Sequence, residues 1–266
     1  MEKAIYITKL CELPQEKENK DFSRIYFGNE FCERLLPTSE ELRAVIDFAT
    51  ERKMEFTLVT PYVTNKGLER LEKLLSLLAK ETSAEVVFND YGVLRLLLRK
   101  FGGLEPVMGR LLNKMKRGPR LMNLIGMLPE TSLAYFRGSS IEVSAFRNFL
   151  SKNGINRVEL DNLLQGISLN LPKFGFSASL YIPYGYITTT RNCLAIDCDV
   201  HGKEDVVGIF PCKKECQRYT FYLKSKAMPI TLIRKGNTIF FKNETIPKNL
   251  DEIGVDRIVY EPNLPL

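Results

Sequence analysis

Residues 38–101 read TSEELRAVIDFATERKMEFTLVTPYVTNKGLERLEKLLSLLAKETSAEVVFNDYGVLRLLLRKF. Thr38 and Glu41 carry a capping-box signature, a hydroxyl that accepts from open amides and a carboxylate that reaches back. Leu42, Val45, Ile46 and Ala49 follow at helical spacing. Residues 55–60, EFTLVT, are a compact β-type run halted by Pro61. Residues 66–80 place Leu68, Leu71, Leu75 and Leu78 on one face of a second helix. Residues 85–88 read as the next strand and 91–101 as a further helix. Strand and helix in this alternation predict a parallel sheet with helices outside it.

Working outward, residues 3–8, KAIYIT, and 23–27 read as the first two strands, joined by a polar loop over 13–21. Gly28-Asn29 breaks the second strand and Cys32 lies just beyond. Gly102, Gly103, Pro106, Gly118 and Pro119 interrupt the rhythm. Ser139 and Glu142 form a second capping box, which predicts a helix burying Val143, Phe146, Phe149 and Leu150 and closed by Gly154. A strand follows over 155–160. From Ser177 the chain turns β-branched and aromatic, with a hairpin in KGNTIFFKNE (235–244) and a closing strand over 255–260 after a helical turn. No repeat, low-complexity tract or linker divides it. The expectation is one α/β domain over residues 1–266, a TIM-barrel-like (β/α) fold with an irregular β-rich C-terminal part.

The chain has 266 residues, 44% of them hydrophobic and 26% charged, as in ordinary soluble proteins. No apolar run reaches the length of a membrane span or a signal peptide, so a cytoplasmic location is expected and a disulfide framework is not. The single histidine, His201, sits in the charged loop VHGKED. That excludes a His-rich metal site and leaves a hydrolytic triad without a supported base. Residues 95–120 hold eight basic side chains against Glu105 alone, net +7, so the remainder of a +6 chain sums to about −1. Such a block suits an anionic small molecule or RNA, or is simply a solvated basic face.

Four of the six cysteines fall in RNCLAIDCDVHGKEDVVGIFPCKKEC (191–216): Cys193, Cys198, Cys212 and Cys216. Thiolates are soft ligands for zinc and iron–sulfur clusters, and three residues between Cys212 and Cys216 let one tight turn aim both at one point. Alternatively they are small buried residues. Strands ending in Thr60, Asn89-Asp90 and Asp161-Asn162 make Asn89, Asp90, Asp161 and Asn162 candidates for a shared pocket at the strands' carboxyl ends, or else helix caps. Arg110, Arg117 and Arg120 are candidates for gripping an anionic substrate two-point fashion.

The ordered segments VTPYVTNKGLERLEKLL, EVVFNDYGVLRLL, GRLLNKMKRGPR, NRVELDNLLQG and YIPYGYITTTRNC resemble the peptidase U-32 family, and within it the UbiV/UbiU type of iron–sulfur protein, over roughly residues 22–220. The resemblance implies a [4Fe-4S] protein of an oxygen-independent hydroxylation system. Its target would be a quinone precursor or an RNA base and its oxygen donor prephenate-like, with a homologous partner chain in a heterodimer. It places the ligands at Cys32, Cys193, Cys212 and Cys216. Cys11 and Cys198 have no counterpart in it. Cys198 in place of Cys32 would instead make a local site, for zinc or a cluster. A zinc-stabilised RNA-binding module and a metal-dependent peptidase are the competing readings.

Overall fold

Alternation along the strands sets the architecture. In β1 (Glu2–Ile7), Ala4 and Tyr6 join one apolar cluster while Ile5 and Ile7 join another. Successive side chains of a strand point to opposite faces, so one set fills a closed ring and the other meets the surrounding helices. The computed structural model describes residues 1–15, 21–203, 206–209 and 211–266. Residues 16–20 of the polar loop, and 204, 205 and 210 between the cysteines, lie outside the described residues.

The chain continues through β2 (Arg24–Gly28), β3 (Glu55–Val59), β4 (Glu85–Phe88), β5 (Glu105–Met108), β6 (Arg157–Asp161) and β7 (Ser177–Ile182). It then builds β8 (Tyr184–Thr189), β9 (Phe221–Leu223), β10 (Leu232–Lys235) and β11 (Thr238–Lys242) before returning as β12 (Val255–Tyr260). β1 to β7 and β12 close into a parallel barrel in which β12 lies between β7 and β1. β8, β11, β10 and β9, in that order, form an antiparallel sheet. The molecule is thus a TIM-barrel-like α/β fold with a β-rich insertion between its seventh and eighth barrel strands.

Helices α1 (Ser39–Glu51), α2 (Asn65–Glu81) and α3 (Tyr91–Lys100) follow β2, β3 and β4. The Thr38–Glu41 box forms with both bonds, at 3.1 and 2.8 Å, and α1 buries Leu42, Val45, Ile46 and Ala49. Such caps contribute about 0.5–2 kcal/mol. α4 (Glu130–Arg137) and α5 (Ser144–Lys152) occupy the excursion from β5 to β6, and α6 (Leu250–Ile253) is one turn before β12. The second capping box forms but closes only a 3-10 turn over Ser140–Glu142. α5 starts after it, so of the four residues expected inside only Leu150 is buried, Phe146 packs partly, and Val143 and Phe149 are exposed. Among the described residues no helix is long and apolar enough to cross a membrane.

The barrel lumen is filled and largely ionic near the strands' amino ends. Arg257 donates to Glu85 at 2.6 and 2.9 Å and to Glu2 at 2.6 Å, and Arg24 donates to Glu2 at 2.7 Å. A middle layer of Tyr6, Tyr26, Tyr181 and four valines seals it from the other end. At the carboxyl ends the inserted sheet sits over the mouth, where Phe31 meets Tyr186 and Phe240 edge to face at 5.5 and 5.2 Å. The mouth where barrel enzymes usually hold substrate is therefore covered by β8 and β11.

Candidate metal centre

Covering the mouth brings distant cysteines together. Gly28 ends β2 at φ +129°, where a Cβ would strike the Val59 carbonyl, and the chain turns there toward Cys32. The Asn29 side chain accepts from the amides of Phe31 and Cys32 at 3.1 and 2.8 Å, fixing Cys32 in an extended conformation before a 3-10 turn. Cys193 is held by a backbone exchange with Gly208, at 2.6 and 3.3 Å. Glu215, fully buried, accepts from the amides of Asp197 and Lys213, both at 3.1 Å, and so shapes the loop carrying Cys212 and Cys216.

Asn237, in the β10–β11 turn, ties these segments. Its amide nitrogen lies 2.8 Å from the Phe31 carbonyl, 3.0 Å from the Tyr62 hydroxyl and 2.6 Å from the Thr190 carbonyl. The neighbouring Gly236 has φ +56°, and a Cβ there would come within 2.8 Å of Leu266 and 3.0 Å of the Cys216 Cβ. Asn29, Glu215 and Asn237 all carry site geometry that the sequence reading passed over. Asn29 beside the break after β2 and Glu215 between two cysteines were the available signals.

Cys32, Cys193, Cys212 and Cys216 line one small cavity. Three cations, Arg34, Arg191 and Lys214, share its wall, and among the described residues no Asp, Glu or His side chain does. Burial pushes the Cys32 thiol up to about 11, and the other three thiols of the group add to that. Burial likewise raises Cys193 and Cys216. Cys198 and Cys11 do not line this cavity, and Cys11 lies in another surface pocket beside Lys9 and Glu12. All six cysteines are free thiols. Among the described residues no three Cys, His, Asp or Glu side chains are grouped tightly enough to hold one ion.

The candidate substrate residues lie elsewhere and do not share an open pocket. Arg110 is wholly buried at the covered mouth, bound to Glu30 at 2.7 Å, Glu261 at 3.0 Å and Asp161 at 3.2 Å. Arg117 reaches the other Asp161 oxygen at 2.6 Å and stacks over the Tyr186 ring. Carboxylates from this chain thus occupy both guanidinium groups. Asn89 bridges the Thr60 carbonyl and the Leu111 amide, and Asp90 caps α3 through the Gly92 amide. The Asn162 side chain donates to the Asn243 and Thr245 carbonyls, leaving its Oδ1 buried without a partner. Arg120 alone of the seven is exposed, at the rim of an apolar cleft. With Arg110 and Arg117 neutralised inside, the basic block presents less surface charge than its count of +7 suggests.

The chain matches no protein-family model and no curated protein in sequence. Among solved structures it is similar to that of the U32 peptidase Mk0906, with 10% identity and a TM-score of 0.47, over 100% of this chain and 94% of the other.

Proposed function

We propose that the protein carries an iron–sulfur cluster held by Cys32, Cys193, Cys212 and Cys216, and serves an oxygen-independent hydroxylation system of the kind its sequence segments resemble. The observation that carries this reading is the single cavity lined by those four cysteines, with Cys198 outside it. The donor set fits the group, being four soft thiols with, among the described residues, no Asp, Glu or His side chain in the wall. Arg34, Arg191 and Lys214 supply positive charge to offset thiolates that burial otherwise disfavours. When bound, such a cluster supplies one-electron transfer at a potential tuned by neighbouring hydrogen bonds and exposure. The protein's own part is to hold four thiols, exclude bulk water and balance charge.

A zinc site would need four ligands within about 2.0–2.3 Å of one ion, and the side chains show no such grouping among the described residues. A homologous partner chain belongs to the proposal, and exposed Val206, Val207 and Ile209, the last on the cavity wall, support a contact surface there.

Anaerobic purification tests the reading. The expected result is a brown protein absorbing broadly near 400 nm, with about four iron and four sulfide per chain. A colourless protein without iron after anaerobic reconstitution overturns it.

A further inference from the structure

A second cavity, of about 500 Å³, opens between the basic segment, α4 and the inserted sheet. Leu121 and Leu124 form one wall, Phe136 of α4 another, and Ile187 of β8 with Leu232 of β10 a third. Alternation along β8 explains the last, since Tyr186 points to the barrel mouth and Ile187 to the opposite face. Lys116 and Arg120 stand among these apolar side chains.

The cleft is built rather than incidental. Gln165, nearly buried, donates from one amide nitrogen to the Lys116 carbonyl at 2.7 Å and the Phe136 carbonyl at 3.0 Å, pinning two walls together. Asn123 donates to the Ala227 carbonyl at 3.2 Å and ties the leucine-bearing segment to the loop before β10. Its volume lies in the range of small-molecule sites. Leu124 and Met127 leave an exposed apolar rim, at 45% and 74% exposure.

Its cations differ from four of the other basic groups of this region, while Arg95 and Arg99, on the wall of a separate pocket by α3, are likewise unpaired among the described residues. Arg110 and Arg117 are bound to carboxylates, Lys100 to Glu72, and Lys114 to the Leu111 carbonyl. Among the described residues the Arg120 guanidinium and the Lys116 ammonium make no hydrogen bond or ion pair, Lys116 having only the Phe136 ring at 6.0 Å. Two unpaired cations at an apolar hollow complement a ligand with an apolar body and a negative head. A nucleic acid would want a basic track and stacking aromatics, and this cleft offers one ring.

We infer that the cleft binds a small amphipathic carboxylate, its apolar body against Leu121, Leu124, Ile187 and Leu232 and its head between Lys116 and Arg120. The site shares no residue with the cysteine cavity, so it stands or falls independently of the cluster. The same chemistry is presented by a free acid and by an anionic lipid surface, and the inference commits to the free acid.

Calorimetric titration of the full-length protein with hexanoate, octanoate and decanoate tests it. Saturable one-to-one binding is expected, tightening by up to about fourfold per methylene while the chain fits and weakening with salt. The double variant Lys116→Gln/Arg120→Gln, at two exposed positions, is expected to keep its circular dichroism and bind octanoate at least tenfold more weakly. The rim variant Leu124→Glu is expected to weaken all three acids. Equal binding of octyltrimethylammonium, undiminished binding by the double variant, or no saturable binding overturns the inference. So does sedimentation with phosphatidylglycerol vesicles without binding of the soluble acids, which assigns the cleft to a membrane surface.

Discussion

Asn237 and Phe31 are joined by a 2.8 Å hydrogen bond across 206 positions of sequence. Through it a turn of the inserted sheet holds the residue next to Cys32, while the same amide holds the Thr190 carbonyl three residues before Cys193. Asn237→Ala removes the donor to the Phe31 carbonyl and the Tyr62 hydroxyl, while the Thr190 carbonyl keeps the Tyr62 hydroxyl at 2.6 Å. It is expected to lower unfolding free energy by about 1–3 kcal/mol in urea titration, and to lower iron content in anaerobic preparations although every cysteine remains. Unchanged stability would show that solvent replaces the clamp.

Cys32→Ser and Cys198→Ser separate a cavity spanning the fold from a local cysteine knot. Cys32 lines the cavity and Cys198 does not. Iron and sulfide analysis is therefore expected to show most of the metal lost from the first variant and retained by the second. The reverse pattern would place the fourth ligand at Cys198.

The barrel's buried carboxyls make stability depend on pH in a definite direction. Burial raises Glu159 to about 8 from an ordinary 4.5, and one of its oxygens has no hydrogen-bond partner. Between those values the folded chain keeps the proton and the unfolded chain has lost it, so stability falls as pH rises from about 4.5 to 8. Glu261, also raised to about 8 by burial, acts in the same sense. Glu159→Gln is expected to flatten the dependence of Tm on pH across this interval without removing it, and to raise Tm at pH 8 relative to the parent. A slope identical to the parent's would rule Glu159 out as a source.

Arg110 sits amid Glu30, Asp161 and Glu261, all fully buried. Removing a buried charge strands its partners and typically costs 3–5 kcal/mol. At pH 9, where Glu261 is ionised, Arg110→Met is expected to cost about that much in chemical denaturation, and the double variant Arg110→Met/Glu261→Gln to recover part of it. Additive losses in the double variant would mean the pair is not coupled.

How far the sequence was readable depends on how local the cause is. The box at Thr38 and the leucine spacing of α2 involve residues a few positions apart, and both elements form as read. β5 was passed over because Pro106 and the glycines before it mask a four-residue strand, yet its pairing with β4 tolerates the proline. The Ser139 box reads like the first, but its turn stops at Glu142 and the following residues lie on a surface excursion rather than against the barrel. For the site, the Cys212–Cys216 spacing is visible and Cys32 is marked by its place just beyond the second strand, whereas only the resemblance joins Cys32 to the other three. Arg110 drew attention as charge. Its partners lie 80 and 151 positions away, so its neutralisation could be seen only in three dimensions.

The insertion of the antiparallel sheet between the seventh and eighth barrel strands has a consequence for biogenesis. During synthesis Cys32 emerges long before its companions, and the wall it belongs to does not exist until residue 216 and the β10–β11 turn have been made and the sheet has seated on the mouth. Contacts so distant in sequence form late, because chain closure precedes their reward. On the proposed reading, loading of this site would be a post-translational event performed on an assembled barrel, and a nascent chain halted before β8 would present Cys32 without its three companions.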